Sequence, residues 1–100
     1  MPRPRRKRLI ERDLHSHFYK PQAIKLCDLK IITLTKDQLE AIRLADSEEL
    51  DQEQAANQMN ISRSTFSRLV AEARKIVASA LVNGWAIKIE GGDFEINNQE

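Results

Sequence analysis

One hundred residues, 41% of them hydrophobic, 31% charged and with a formal net charge of +1, suit one small domain that buries roughly 60 to 65% of its unfolded surface. No apolar run is long enough to cross a bilayer, and the basic start is not followed by the apolar core of a secretory signal, so no membrane partner and a cytoplasmic, nucleoid-associated location are expected. Cys27 is the single cysteine and cannot form an internal disulfide, which accords with a reducing compartment.

Charge is unevenly spread. Residues 1–30 hold nine Lys/Arg against three Asp/Glu, residues 31–61 two against seven, and residues 62–100 five against five, so a local positive field is concentrated at the N-terminus. There the run PRPRRKR sets Arg3, Arg5, Arg6, Lys7 and Arg8 beside Pro2 and Pro4. Because proline resists helix, residues 1–12 read as a flexible basic arm that can follow phosphates or lay Arg3 and Arg5 into a minor groove. A solubilising tail, or a segment that binds RNA or any polyanion, is the competing reading.

Residues 13–34 carry apolar side chains with no single period and are interrupted by Pro21, which predicts an irregular segment with room for a short strand. His15, His17 and Cys27 fall in this segment. Three ligands do not close a structural zinc site, so neither a metal nor another cofactor is expected. No nucleophile and base pairing, paired catalytic carboxylates or phosphate-binding glycine loop is evident, and an enzyme is not expected.

A helix-turn-helix domain is predicted over residues 35–84. Thr35 and Gln38 form a capping-box pair, Leu34 can staple to Leu39, and Ile42 and Ala45 continue a buried side to about Ser47, with Asp37, Glu40 and Asp46 on an acidic outer face. A second helix is capped by Asp51, with Gln54 reaching back, and ends near Met59. Asn60 sits where the following turn needs positive φ, which Asn tolerates through local hydrogen bonding. Ser62 caps a third, longer helix whose Phe66, Leu69, Val70, Ala73, Val77, Ala80 and Leu81 make an apolar stripe up to Asn83 and Gly84. At about 100° per residue, Ser64, Ser67, Arg68, Ala71 and Lys75 fall opposite that stripe, with Arg63 and Thr65 in the first turn.

Such a face suits a major groove: Arg can contact guanine O6 and N7, Ser and Thr can donate or accept, and Ala71 can touch a thymine methyl. An ordinary solvated helix face has the same composition, and it is the adjoining turn that favours DNA. Residues 85–97 then alternate apolar and polar around Gly91 and Gly92, which predicts a wing-like β-hairpin with Ile89 facing Phe94, Ile87 facing Ile96 and Lys88 opposite Glu95. Residues 98–100 are a tail.

The opening MPRP, the stretch LTKDQLEAIRLAD, the run QEQAANQMNISRSTFSRLVAEARKIVASALVNG and AIKIEGG together resemble the MPRP-type family of small prokaryotic proteins. That resemblance covers most of residues 1–92. It implies a DNA-binding protein with a helix-turn-helix similar to region 4 of the primary sigma factors, with Arg63, Ser64, Thr65, Ser67 and Arg68 as groove contacts supported by Gln54, Ala55 and Ala56. Many relatives place cysteine in the basic N-terminal stretch, whereas this chain has Arg5, Arg6, Lys7, Arg8 and Leu9, which weakens a metal or redox-sensing role.

The expectation is therefore a mainly α protein: a three-helix core with a long recognition helix, a C-terminal hairpin and a basic arm. It would act as a sequence-specific transcriptional regulator on double-stranded DNA through Arg63, Ser64, Thr65, Ser67, Arg68 and Lys75, with Arg3, Arg5, Arg6, Lys7 and Arg8 adding phosphate contacts. The alternative is an interaction module for RNA polymerase with weak DNA binding. A homodimer is also considered, built on the hairpin at Trp85 and Phe94 or on the C-terminal part of the long helix.

Overall fold

A computed structural model describes residues 8–11, 18–92 and 94–96. Its elements in chain order are β1 (Arg8–Ile10), β2 (Phe18–Tyr19), a 3-10 turn (Leu26–Asp28), β3 (Ile31–Leu34), α1 (Lys36–Ile42), α2 (Gln52–Met59), α3 (Arg63–Asn83), β4 (Ala86–Ile89) and β5 (Phe94–Ile96). The helices start where their side chains can satisfy backbone N–H groups that lack an intrahelical partner. Thr35 accepts from the Gln38 N–H while Gln38 accepts from the Thr35 N–H, and Asp51 and Gln54 repeat the exchange at α2. Past Ile42 the first helix widens into a π turn over Arg43–Ser47, closed by the Glu48 N–H donating to the Arg43 carbonyl at 2.8 Å.

Between α2 and α3 the chain bends at Asn60, whose φ of 57° and ψ of 43° are left-handed. The short amide side chain is one of the few that this conformation admits. Asn60→Val is expected to lower stability by about 2 kcal/mol while Asn60→Gly changes it by less than about 0.5 kcal/mol, read as urea midpoints at constant m; equal effects of the two would refute the backbone account.

Helix α3 is the spine of the molecule. Its first half joins α1 and α2 in a core of Ala41, Leu44, Ala55, Ala56, Met59, Phe66, Leu69 and Val70, and its second half packs Ala73 and Ala80 against Leu34, Ile87 and Ile89 of the sheet. Phe66, Met59 and Leu44 are among the largest side chains sealed from solvent. Ala55 and Ala56 let α2 approach α3 closely. The expected apolar stripe holds as far as Ala80, but Leu81 is 75% exposed, being turned about 100° from the sheet-facing Ala80.

The C-terminal hairpin is not formed. Strand β4 pairs in parallel with β3, Ile32 against Ile87 and Leu34 against Ile89, and antiparallel with β2, while β5 pairs in parallel with β1. Parallel pairing lets Leu34, Ile87 and Ile89 bury one continuous face on α3, an apolar burial that an isolated ribbon cannot supply. Gly91 and Gly92 do take positive φ, 71° and 104°, but they carry the chain across the start of α1, where the Lys36 N–H donates to the Gly91 carbonyl at 3.0 Å. Lys88 pairs with Glu90 at 3.1 Å.

Three further expectations are corrected by the same topology. Arg8 belongs to strand β1, 9% exposed, because its pairing with β5 draws it into the fold, so the arm cannot extend through residue 12. Residues 13–34, expected to be irregular, contribute two strands to the sheet. The supposed outer face of α1 is covered by β1, leaving Asp37 and Glu40 at 3% and 8% exposure. Their charges are met: the Arg8 Nη1 lies 3.3 Å from Asp37, and Arg43 grips both oxygens of Glu40 at 2.7 and 3.0 Å while also pairing with Glu11 and Glu48. The hydrogen bond to Glu40, with the nearby carboxylates, raises the Arg43 pKa above its ordinary value.

Candidate nucleic-acid interface

The start of α3 is organised by one hydroxyl. Ser62 Oγ accepts from the Thr65 N–H at 3.1 Å, donates to Thr65 Oγ1 at 2.9 Å and lies 3.2 Å from Ser64 Oγ. Ser62 has a single proton, and with that proton on Thr65 the Ser64 hydroxyl is the donor in the third contact. Thr65 is thus left with a proton to give outward and Ser64 with lone pairs to receive, so the two hydroxyls offer opposite hydrogen-bonding character in the first turn.

Beyond that turn, Arg63, Ser64, Arg68, Ala71 and Lys75 are exposed, whereas Thr65 and Ser67 are half-buried. Among the described residues, Arg63, Arg68 and Lys75 have no ion pair, in contrast with Arg74, which clamps Asp46 through Nε at 3.1 Å and Nη2 at 2.6 Å. That hydrogen bond holds the Asp46 carboxyl below its ordinary value. The α3 cations are therefore divided by geometry: Arg74 ties α3 to the end of the first helix, and the others leave their donors to solvent.

Arg68 also lines a polar cleft of about 720 Å³ with Thr65 and Glu72 of α3, its cap Ser62, Asn57 of α2, Asn60 of the turn, Thr35 and Gln38 at the start of α1, and Arg8. The root of the basic N-terminus and the exposed face of α3 thus border one depression. Of the arm, Arg3, Arg5, Arg6 and Lys7 lie outside the described residues, and Arg8 is committed to Asp37. Asn57 was not singled out in the sequence, and Thr35 and Gln38 were read only as a helix cap, because their approach to α3 depends on tertiary packing. Glu72 was also missed, although a signal was present: it stands four residues after Arg68 and so on the same side of a helix.

His15 and His17 lie outside the described residues, and Cys27 is exposed in the 3-10 turn. Trp85 and Phe94, expected on an open hairpin face, are approached by Lys30 at 4.0 Å and Lys36 at 5.5 Å. Of the two dimer faces considered, Trp85 and Phe94 are half-buried, and the C-terminal end of α3 is open, with Val82 84% exposed. Among the described residues, no helix is long and apolar enough to cross a membrane.

Residues 1–97 match the family described as Protein of unknown function DUF134. A UPF0251 protein of Rhodospirillum rubrum is 60% identical over 92 residues, which are 92% of this chain and 64% of the relative. A UPF0251 protein of Desulfosudis oleivorans is 49% identical over 94% of this chain and 68% of its own length, and one from Caldanaerobacter subterraneus is 43% identical over 100% of this chain and 85% of its own. The chain thus spans less than two thirds of the Rhodospirillum relative. No solved structure matches. With the family match running over nearly the whole chain and these identities beside it, the protein belongs to the DUF134/UPF0251 family of prokaryotic proteins.

Proposed function

We propose that this protein is a sequence-specific DNA-binding transcriptional regulator, in which α2 and α3 form a helix-turn-helix and α3 enters the major groove. The observation that carries this reading is the left-handed bend at Asn60 leading directly into a helix whose exposed side presents Arg63, Ser64, Arg68, Ala71 and Lys75 with their cations unpaired among the described residues. The buried flank of Phe66, Leu69, Val70 and Ala73 holds that helix rigidly, so the ordering entropy of its contact groups is largely met in folding rather than in binding. Arg68 and Arg63 match guanine, and Ala71 matches a thymine methyl.

Arg8 borders the cleft beside Arg68, and six extended residues reach roughly 20 Å, so Arg3, Arg5, Arg6 and Lys7 are within range of phosphates or a minor groove next to the one α3 reads. Arg68→Ala is expected to cost about 1 to 3 kcal/mol on a duplex obtained by in vitro selection, and much less on a random duplex of equal length. Titration of both at one salt concentration checks it; equal losses on the two would remove Arg68 from base reading.

A second reading draws on the exposed carboxylates of Glu48, Glu49, Asp51 and Glu53 around the start of α2, which suit a basic protein surface such as one on RNA polymerase. On that reading polymerase is retained after nuclease treatment and no selected duplex is shifted.

A further inference from the structure

The exposed face of α3 contains one group that a surface built only to attract phosphate would not contain. Glu72 is exposed and, among the described residues, has neither an ion pair nor a hydrogen bond. At about 100° per residue it lies some 40° around the helix from Arg68, inside the arc set by Ser64, Thr65, Arg68, Ala71 and Lys75. It also shares the cleft lining with Arg68 and Thr65. Along the axis it is about 6 Å beyond Arg68, close to two base-pair steps of roughly 3.4 Å each.

A free carboxylate between Arg68 and Lys75 repels every phosphate that approaches this face, so it lowers affinity for all sequences unless a donor meets it. The N4 amino group of cytosine in the major groove is such a donor, and a carboxylate accepts from it. A guanine cannot substitute, because it presents only N7 and O6 acceptors there, and two acceptors facing each other lose their water without a hydrogen bond in return; adenine offers its N6 amino donor but sets the N7 acceptor beside it, against the second carboxylate oxygen, so cytosine is the better match.

Resting on the DNA-reading role of α3, we propose that Glu72 is a specificity-determining residue that selects cytosine about two base pairs from the position read by Arg68. Arg68 supplies attraction together with a guanine preference, whereas Glu72 works chiefly by exclusion, making all duplexes bind more weakly and those without cytosine at its position weakest.

The test is in vitro selection from random duplexes with the full chain, Glu72→Ala, Glu72→Gln and Arg68→Ala, followed by titration of the selected duplex and of its single-base variants. Glu72 is exposed, so its variants keep the fold, which thermal melting verifies. The unsubstituted chain is expected to lose roughly 5- to 150-fold in affinity when the cytosine is replaced. Glu72→Ala is expected to lose that preference at one position only and to bind random duplex more tightly, and Glu72→Gln to shift the preference toward adenine. If Glu72→Ala tightens every duplex by one common factor and keeps all base preferences, the carboxylate is merely repulsive and the inference falls, while an altered preference in Arg68→Ala would leave the reading role of α3 standing. If neither substitution changes any preference, both fall together.

Discussion

Asp37→Ala should destabilise the protein by about 3 kcal/mol, more than its place on a supposedly solvated helix face would suggest. The Asp37 side chain is 5% exposed and faces an Arg8 side chain that is 11% exposed. Deleting the carboxylate takes away an anion that lies 3.3 Å from a poorly solvated guanidinium, and the cost is mainly that of weakening a charge pair held away from water. The Thr35 hydroxyl, which donates to the same carboxylate, loses its acceptor as well. The double substitution Arg8→Met with Asp37→Leu removes both charges and is expected to recover most of the loss, since apolar groups of similar size often replace a buried pair at little cost. Urea unfolding of the two variants decides it. A single-variant loss below about 1 kcal/mol would show that the pair is solvated and that β1 is not anchored there.

The second large effect concerns salt. Replacing Arg3, Arg5, Arg6 and Lys7 together by Ala, with Arg8 kept because it belongs to the fold, is expected to reduce the slope of log affinity against log salt by roughly 3 to 4. Between about 50 and 200 mM salt the unsubstituted chain should then lose on the order of 100-fold more affinity than the variant, and by the same factor on selected and random duplexes. Slopes that agree within about one unit would mean that the arm does not follow phosphates, leaving α3 as the whole contact. The choice of residues matters: a deletion extending through Arg8 would also remove the partner of Asp37 and confuse loss of binding with loss of folding.

What the sequence made legible was local. The caps at Thr35, Asp51 and Ser62, the left-handed Asn60 and the closing Gly84 involve partners within a few residues, and each occurs where expected. The face of α3 follows from the same periodicity, because a helix rotates by a fixed angle per residue whatever it packs on. Glu49, which also has a φ of 57°, carried no such signal, since nothing about glutamate marks a left-handed residue. The sheet was misread because its pairings are distant: β3 and β4 lie more than fifty residues apart in the chain, and the local glycine pattern at Gly91 and Gly92 suggested a nearer partner. Asp37 and Glu40 were misplaced for a related reason. Polar residues on one side of a helix imply water unless something covers them, and here the cover is strand β1, from nearly thirty residues earlier in the chain.

That strand pair also sets the direction in which the described chain crosses this side of the molecule. Because β1 and β5 run in the same direction, the chain enters both from the side of Asp37 and the cleft and leaves both toward Arg43. Ile96, the last described residue, thus stands on the Arg43 side, and Arg8 stands at the cleft. If α3 reads duplex DNA as proposed, a fluorescent label or affinity tag joined after residue 96 is expected to leave that binding unchanged, whereas the same cargo joined ahead of Arg8, which lines the cleft beside Arg68, is expected to weaken it.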